Sequence, residues 1–298
     1  KVLNAALAVQ MQRRAEDPFA FGYEPPIWFV ASALLEGSPV TPAMEARVRQ
    51  RTGLDWPEFA ERMRLACGFD RPVRELLIMG ANRSGKTDWA AKRLVRRLTA
   101  GRNEQLVVGA QTRETSRSTQ QDRVWHYLPK DLRARNGERG TVFYLTHKEQ
   151  TGFTFNKITM DDKSNLRFVT YEQDVNAIME GPAFDEGWLD EEFGKRWLDA
   201  LRFRLSSKRG TLIATFTPVS GYTPVVADFL EGMVVTRRTT AYLLPRDGGP
   251  PLPWAQLGLS EAEWAALTGA PAGAPPASPE SPVSPEQSGS PACGSTPP

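Results

Sequence analysis

Gly80-Ala81-Asn82-Arg83-Ser84-Gly85-Lys86-Thr87 lies between an apolar run, Leu76-Leu77-Ile78-Met79, and a helix-compatible stretch, Asp88-Trp89-Ala90-Ala91-Lys92-Arg93-Leu94. The segment matches the pattern G-x-x-x-x-G-K-[ST] in full, and strand, glycine loop and helix is the context in which that pattern has a mechanism. Its glycines let the backbone wrap around phosphate oxygens, and the helix start adds unpaired N–H groups and the positive end of a dipole. Lys86 then neutralises charge on the β- and γ-phosphates, and Thr87 offers its hydroxyl to Mg²⁺. The whole segment, Gly80 through Thr87, is therefore expected to hold a nucleoside triphosphate.

Outward from the loop, short β-rich runs alternate with helical stretches between 74 and about 240. The expected strands are Glu75–Met79, Gln105–Ala110, Leu166–Thr170, Gly187–Asp190, Thr211–Phe216 and Val234–Thr239; the expected helices are Thr87–Leu98, Thr112–His126, Val175–Met179 and Lys195–Ser206. Such alternation predicts an α/β fold, a mainly parallel sheet flanked by helices. Residues 141–160 read as an antiparallel hairpin inserted into it. Residues 1 to about 70 read as a helical N-terminal segment packed on the core, punctuated by Pro25-Pro26, Pro39 and Pro42. Near 247 the composition changes: residues 248–298 hold half of the 24 prolines. Beyond a helical turn or two at Ser260–Leu267, such a segment buries too little apolar surface to offset its ordering entropy. The expected division is 1–70 helical, 71–245 nucleotide-binding, and 246–298 a mostly disordered tail.

Hydrolysis needs a carboxylate for the metal and a group that polarises water. Gly187-Trp188-Leu189-Asp190-Glu191-Glu192 is an apolar strand ending in acids. Asp190 at the strand's end suits Mg²⁺, and Glu191 suits activating a water for in-line attack. Asp185-Glu186 is a second acidic pair on a poorer strand and is the lesser choice. A third element, Thr211 through Thr217-Pro218, is a buried β-run ending in Thr-x-Thr-Pro, which brings the Thr215 and Thr217 hydroxyls to the sheet edge where the γ-phosphate would sit. An ordinary strand and turn is the plain alternative.

In this order the motifs resemble the large terminase subunit of tailed bacteriophages, an ATPase motor that packages DNA. The resemblance rests on the loop at 80–87, on Gln111 through Arg117, on Thr170-Tyr171-Glu172-Gln173 running to Gly181, on Trp188 through Glu192, and on Thr215 through Pro218 with Gly221. It covers roughly 20–240. It implies a RecA-like P-loop ATPase of the additional-strand, catalytic-glutamate type, with Mg²⁺ as cofactor and ATP as substrate. It also implies a catalytic Arg83 within the loop beside Lys86 and Glu191, and a coupling role for Thr215 and Thr217. Gln111 and Arg117 are expected near the nucleotide edge or a neighbouring subunit, and Gly22 through Pro26 near the adenine. The implied partners are double-stranded DNA, a portal protein and a small terminase subunit, in a homo-oligomeric ring in the host cytoplasm. Large terminase subunits usually continue into a nuclease domain; the proline-rich tail stands in that place, so nuclease activity is not expected. A helicase-like ATPase, a phosphate-loop kinase and an ATP-binding fragment without turnover are the competing readings.

Composition agrees with this class and narrows it little. A formal charge of +2 with 24% charged residues does not by itself point to nucleic acid. Lys92-Arg93 and Arg96-Arg97 read as a solvated helix face, as does the basic stretch from Lys195 to Arg204. Two cysteines and two histidines form neither a disulfide framework nor a metal motif, and no apolar run is long enough to span a membrane.

Overall fold

The computed structural model describes residues 8–9, 11–13, 15–21, 26–35, 37, 40–66, 69–79, 84–176, 181, 183–217, 223–235 and 240–243. Strands β1 (Glu75–Met79), β2 (Gln105–Ala110), β6 (Asn165–Thr170), β7 (Glu186–Asp190), β8 (Thr211–Phe216) and β9 (Thr240–Leu243) pair in parallel. Strand β5 (Lys157–Thr159) adds antiparallel to β6, giving the order β5-β6-β2-β7-β8-β1-β9. The strand that leads into the glycine loop, β1, is thus separated from the acidic strand β7 by an additional strand, β8. That order is the RecA-like, additional-strand arrangement that the family resemblance implied.

The central strands are largely apolar because both faces are covered, with their polar residues held in hydrogen bonds. Side chains alternate across the sheet. Leu76, Ile78, Val108, Trp188 and Ile213 enter one core with the N-terminal helices and the helix after the loop. Leu77, Met79, Val107, Leu189 and Ala214 enter a second core on the opposite face, against the helices that follow β7 and β8.

The N-terminal helices that pack on the sheet include α1 (Pro26–Leu34), α2 (Pro42–Thr52) and α3 (Trp56–Ala66). Proline at the start of α2 costs no hydrogen bond, and Thr41 caps it by accepting from the Met44 N–H at 3.3 Å. Leu34 O accepts from Val73 N at 2.8 Å, which ties α1 to the entry of β1. Helix α4 (Lys86–Leu98) follows the loop. Next come the short helix Arg113–Thr115, a π-helical segment Ser116–Gln121 and the helix Asp122–Tyr127, which run on as one rod, called α5. After α6 (Lys130–Ala134), helices α7 (Lys195–Ser206) and α8 (Pro224–Val235) lie on the second face.

Four expectations change. The basic residues of α4 are not a solvated face: Lys92, Arg93 and Arg96 are buried. Arg93 pairs with Glu186 at 2.7 Å, while Arg97 reaches Glu186 at 3.0 Å and Glu104 at 2.6 Å. The strand expected at Val234–Thr239 is half replaced. Val225, Val226 and Phe229 bury at helical spacing, and the helix they anchor runs through Val234 and Val235. The strand that does form there is β9, beside β1, while residues 236–239 lie outside the described residues. Third, 141–160 is antiparallel but divided. β3 (His147–Lys148) pairs with β4 (Gly152–Phe153), whereas β5 leaves them for the main sheet, where β6 offers a longer ladder. Finally, the helix expected at Thr112–His126 carries the π-helical turn, which residue periodicity did not reveal. Val175 and Asn176 are helical; the rest of the helix expected there, and the tail from 244 onward, lie outside the described residues.

Candidate functional site

The C-terminal ends of β1, β2, β7 and β8 share one sheet edge, the edge at which open parallel sheets bind ligands. Gly80, Ala81, Asn82 and Arg83 lie outside the described residues, as does Gly22 through Pro25. From Ser84 the loop is placed. Gly85 adopts φ +87 and caps α4, a backbone state open to glycine and strained for other residues. Thr87, in the first turn of α4, is partly exposed, and its neighbour Lys86 is only 4% exposed. Lys86 Nζ donates to Thr217 Oγ1 at 3.0 Å, across 131 positions of sequence.

Strand parity aims the acidic residue. Trp188 faces the α4 side of the sheet, so Asp190, two residues on, does too. Parallel pairing sets Asp190 opposite Thr215. The Thr215 hydroxyl donates to Asp190 Oδ1 at 2.6 Å and accepts from Trp188 Nε1 at 2.6 Å. From the other side Gln120 Nε2, on the π-helical segment, donates to Asp190 Oδ2 at 2.8 Å. Burial raises the Asp190 carboxyl to about 6, opposed by the hydrogen bonds from Thr215 and Gln120, with Glu191 adding to the rise and Lys86 opposing it.

Glu191 directly follows, with its N–H on Thr215 O at 2.7 Å and φ +59, a left-handed conformation uncommon for a non-glycine residue. Strain of this kind collects at functional sites. Tyr171 braces the strand end, its hydroxyl lying between Gly109 O (3.0 Å) and Asp190 O (2.9 Å) and sharing its one proton with them. A Cβ on Gly109 would lie 2.7 Å from the Tyr171 ring, so only glycine admits that brace. Beside it a cavity of about 460 Å³ opens among Gln111, Tyr171, Glu192, Phe193, Phe216 and Val225.

The structure therefore brings together Lys86, Asp190, Glu191, Thr215 and Thr217. Gln111 reaches the cavity, whereas Arg117 turns away to the hairpin and donates to Gln150 O at 2.8 Å. Asp185 and Glu186 sit at the opposite, N-terminal end of β7, with Glu186 in the buried arginine cluster. Gln120 and the bracing role of Tyr171 were not anticipated. Tyr171 stands within a recognised motif, but the register of Gln120 depends on the π-helical turn.

Among the described residues no group of three or more His, Cys, Asp and Glu could hold a metal. A Mg²⁺ site completed by substrate phosphates needs only one or two protein oxygens. The donor set fits: a buried carboxylate at Asp190, which accepts hydrogen bonds from the neutral donors Thr215 and Gln120, and a hydroxyl at Thr87. Among the described residues no helix is long and apolar enough to cross a membrane.

Residues 77–267 match the family model described as terminase large subunit, T4likevirus-type, N-terminal. The sequence matches none of the curated proteins compared with it. Among solved structures it is similar to the large terminase ATPase domain of Thermus phage P74-26: 13% identity, 70% of this chain and 96% of that one, TM-score 0.45. The large terminase of a thermophilic bacteriophage matches at 13% identity, over 69% of this chain and 49% of that one, TM-score 0.46. The HK97 bacteriophage large terminase matches at 15% identity, over 80% and 50%, TM-score 0.46. The chain thus spans about half the length of the latter two proteins.

Proposed function

Because this chain belongs to the terminase large subunit family through that N-terminal model, we propose that it hydrolyses ATP to drive double-stranded DNA into a procapsid. The observation that carries the reading is the convergence of Lys86 and Thr217 with Asp190, Thr215 and Glu191 on one sheet edge at the start of α4. In this reading residues 71–245 form the ATPase domain, and 80–87 bind the phosphates.

Lys86, buried and cationic, offsets phosphate charge. Thr87 and Asp190 would hold Mg²⁺, which when bound would neutralise charge on the phosphate oxygens. Glu191, turned by its left-handed backbone, takes a proton from the attacking water as the water oxygen bonds the γ-phosphorus and the bond to the β-phosphate oxygen breaks, leaving ADP and phosphate. Thr217 accepts from Lys86 and directly follows the strand that backs Asp190. A change in Lys86 on binding or losing the γ-phosphate is therefore felt by the segment after β8, and Thr215 and Thr217 form the route to mechanical work. The partners in this role are a portal protein, a small terminase subunit and further copies of this chain in a ring, in the host cytoplasm.

The test is ATP turnover with and without double-stranded DNA. Glu191→Gln is expected to lower kcat by about 10²–10⁴-fold with nucleotide still bound, and Lys86→Ala to weaken binding itself. Wild-type turnover no faster than both variants, with DNA and portal supplied, sinks the proposal.

A further inference from the structure

We propose that Gln120 is a positioning residue for the metal, its amide oxygen accepting a hydrogen bond from a water on the Mg²⁺ held by Asp190. The inference rests on the nucleotide reading above and concerns a residue outside the loop and strand motifs.

Two adjacent glutamines on the π-helical segment are the starting point. Gln120 and Gln121 are 0% and 1% exposed. Gln121 is satisfied at both ends: its oxygen accepts from Phe153 N at 2.7 Å, and its nitrogen donates to Ser116 Oγ at 3.2 Å and Asn156 Oδ1 at 3.3 Å. Gln120 is satisfied at one end only. Its nitrogen donates to Asp190 Oδ2 at 2.8 Å, and its oxygen, equally buried, has no hydrogen-bond partner among the described residues.

The amide cannot be turned around to correct this, because its oxygen would then face a carboxylate oxygen. A buried carbonyl left without a donor is costly, and native structures rarely keep one without a reason. Because the other end of the same amide is held on Asp190, a donor that arrives beside that carboxylate would satisfy it. Mg²⁺ dehydrates reluctantly and keeps several waters, each a strengthened donor, when it is bound by one carboxylate and phosphates. A neutral amide that donates to the ligand and accepts from the ion's water orients both without adding charge.

The π-helical turn gives the residue its reach. The inserted residue widens the helix, and such turns are frequent at functional sites. Here it lets consecutive residues serve different partners: Gln120 the carboxylate, Gln121 the backbone of the β3–β4 hairpin.

The readout is the Mg²⁺ dependence of binding of a fluorescent ATP analogue, with Mn²⁺ paramagnetic resonance as a direct probe of metal affinity. Gln120→Met keeps length and apolar packing but removes the amide. It is expected to raise the half-saturating Mg²⁺ concentration by about 10-fold, the scale of lost outer-shell partners, while nucleotide affinity in EDTA stays as in wild type. A Gln120→Met curve that overlays wild type overturns this proposal alone. So does a loss of affinity that is equal with and without metal. Wild-type protein that binds the analogue no better with Mg²⁺ than Lys86→Ala does overturns the nucleotide reading, and this inference with it.

Discussion

Asp190 shows how one residue carries opposite demands. It is 1% exposed, and that burial, partly offset by Thr215 and Gln120, sets its carboxyl at about 6. Unfolded, the group titrates near 3.9. Between about pH 4 and 6 the folded protein holds a proton that the unfolded chain has released, so stability falls as pH rises through that window, by up to about 3 kcal/mol. Above it the penalty is constant until a cation arrives to balance the charge. In EDTA, Asp190→Asn should therefore melt higher than wild type near pH 7.5, with the advantage shrinking toward pH 5. Thermal unfolding at both values checks this, and an advantage that does not change with pH contradicts it. The roles proposed for Lys86, Asp190 and Thr217 were legible because each stands at a fixed place in a strand–loop or strand–turn pattern. Gln120 was not legible. Its partner lies 70 positions away, and its direction follows from a π-helical turn that carries no sequence mark.

At the scale of elements, the strands beside the loop were readable for a simple reason: a strand buried on both faces is mostly apolar, as the runs at 76–79, 106–110 and 212–214 are. Helix α4 was harder. Its Lys and Arg residues have the composition of a wet surface, and partners distant in sequence make them interior: Glu186, 93 residues from Arg93, and the Tyr127 ring under Lys92. Glu186 is fully buried. Burial alone would raise its pKa, but Arg93 and Arg97 outweigh that and hold it below the ordinary carboxylate range. The stability it contributes is thus present above the unfolded glutamate value of about 4.3 and lost as pH falls below it. Glu186→Gln leaves Arg93 buried without its counter-charge, and the expected cost is about 3–5 kcal/mol. The cluster sits at the N-terminal ends of β7 and β8, whereas the phosphates are expected at the C-terminal ends. Nucleotide affinity of the folded fraction should be unchanged. Denaturant unfolding beside a nucleotide titration separates the two effects, and a loss of affinity at full folding contradicts this division of the sheet.

Across the whole molecule, the question is whether the N-terminal helices are an appendage or part of the engine. One core contains both: Trp28, Phe29, Val48 and Phe59 belong to the same buried cluster as Ile78, Trp89 and Ile213. The Trp28 ring stacks on Trp89 of α4 at 5.6 Å and 21°, and Trp89 Nε1 donates to Ser32 Oγ at 3.1 Å. The indole of Trp28 also touches the loop, since a Cβ on Gly85 would lie 3.2 Å from Trp28 Nε1. A large apolar side chain at that junction does two things: it fills the space between α1 and α4, and it fixes the height of the glycine that starts α4. Trp28→Ala should therefore cost about 3–5 kcal/mol in stability. It should also weaken nucleotide binding in the fraction that remains folded, because Gly85 loses the surface it rests on. Phe59, in the same core on α3, gives the control. Phe59→Ala is expected to cost a similar amount, about 3–5 kcal/mol, with no change in nucleotide affinity, since nothing places it against the loop. Removal of residues 1–70 should leave a chain that does not fold cooperatively, as β1 and α4 would then expose one face of their core to water. A shortened chain with a sharp thermal transition and undiminished nucleotide affinity would show instead that the helices are dispensable to the site.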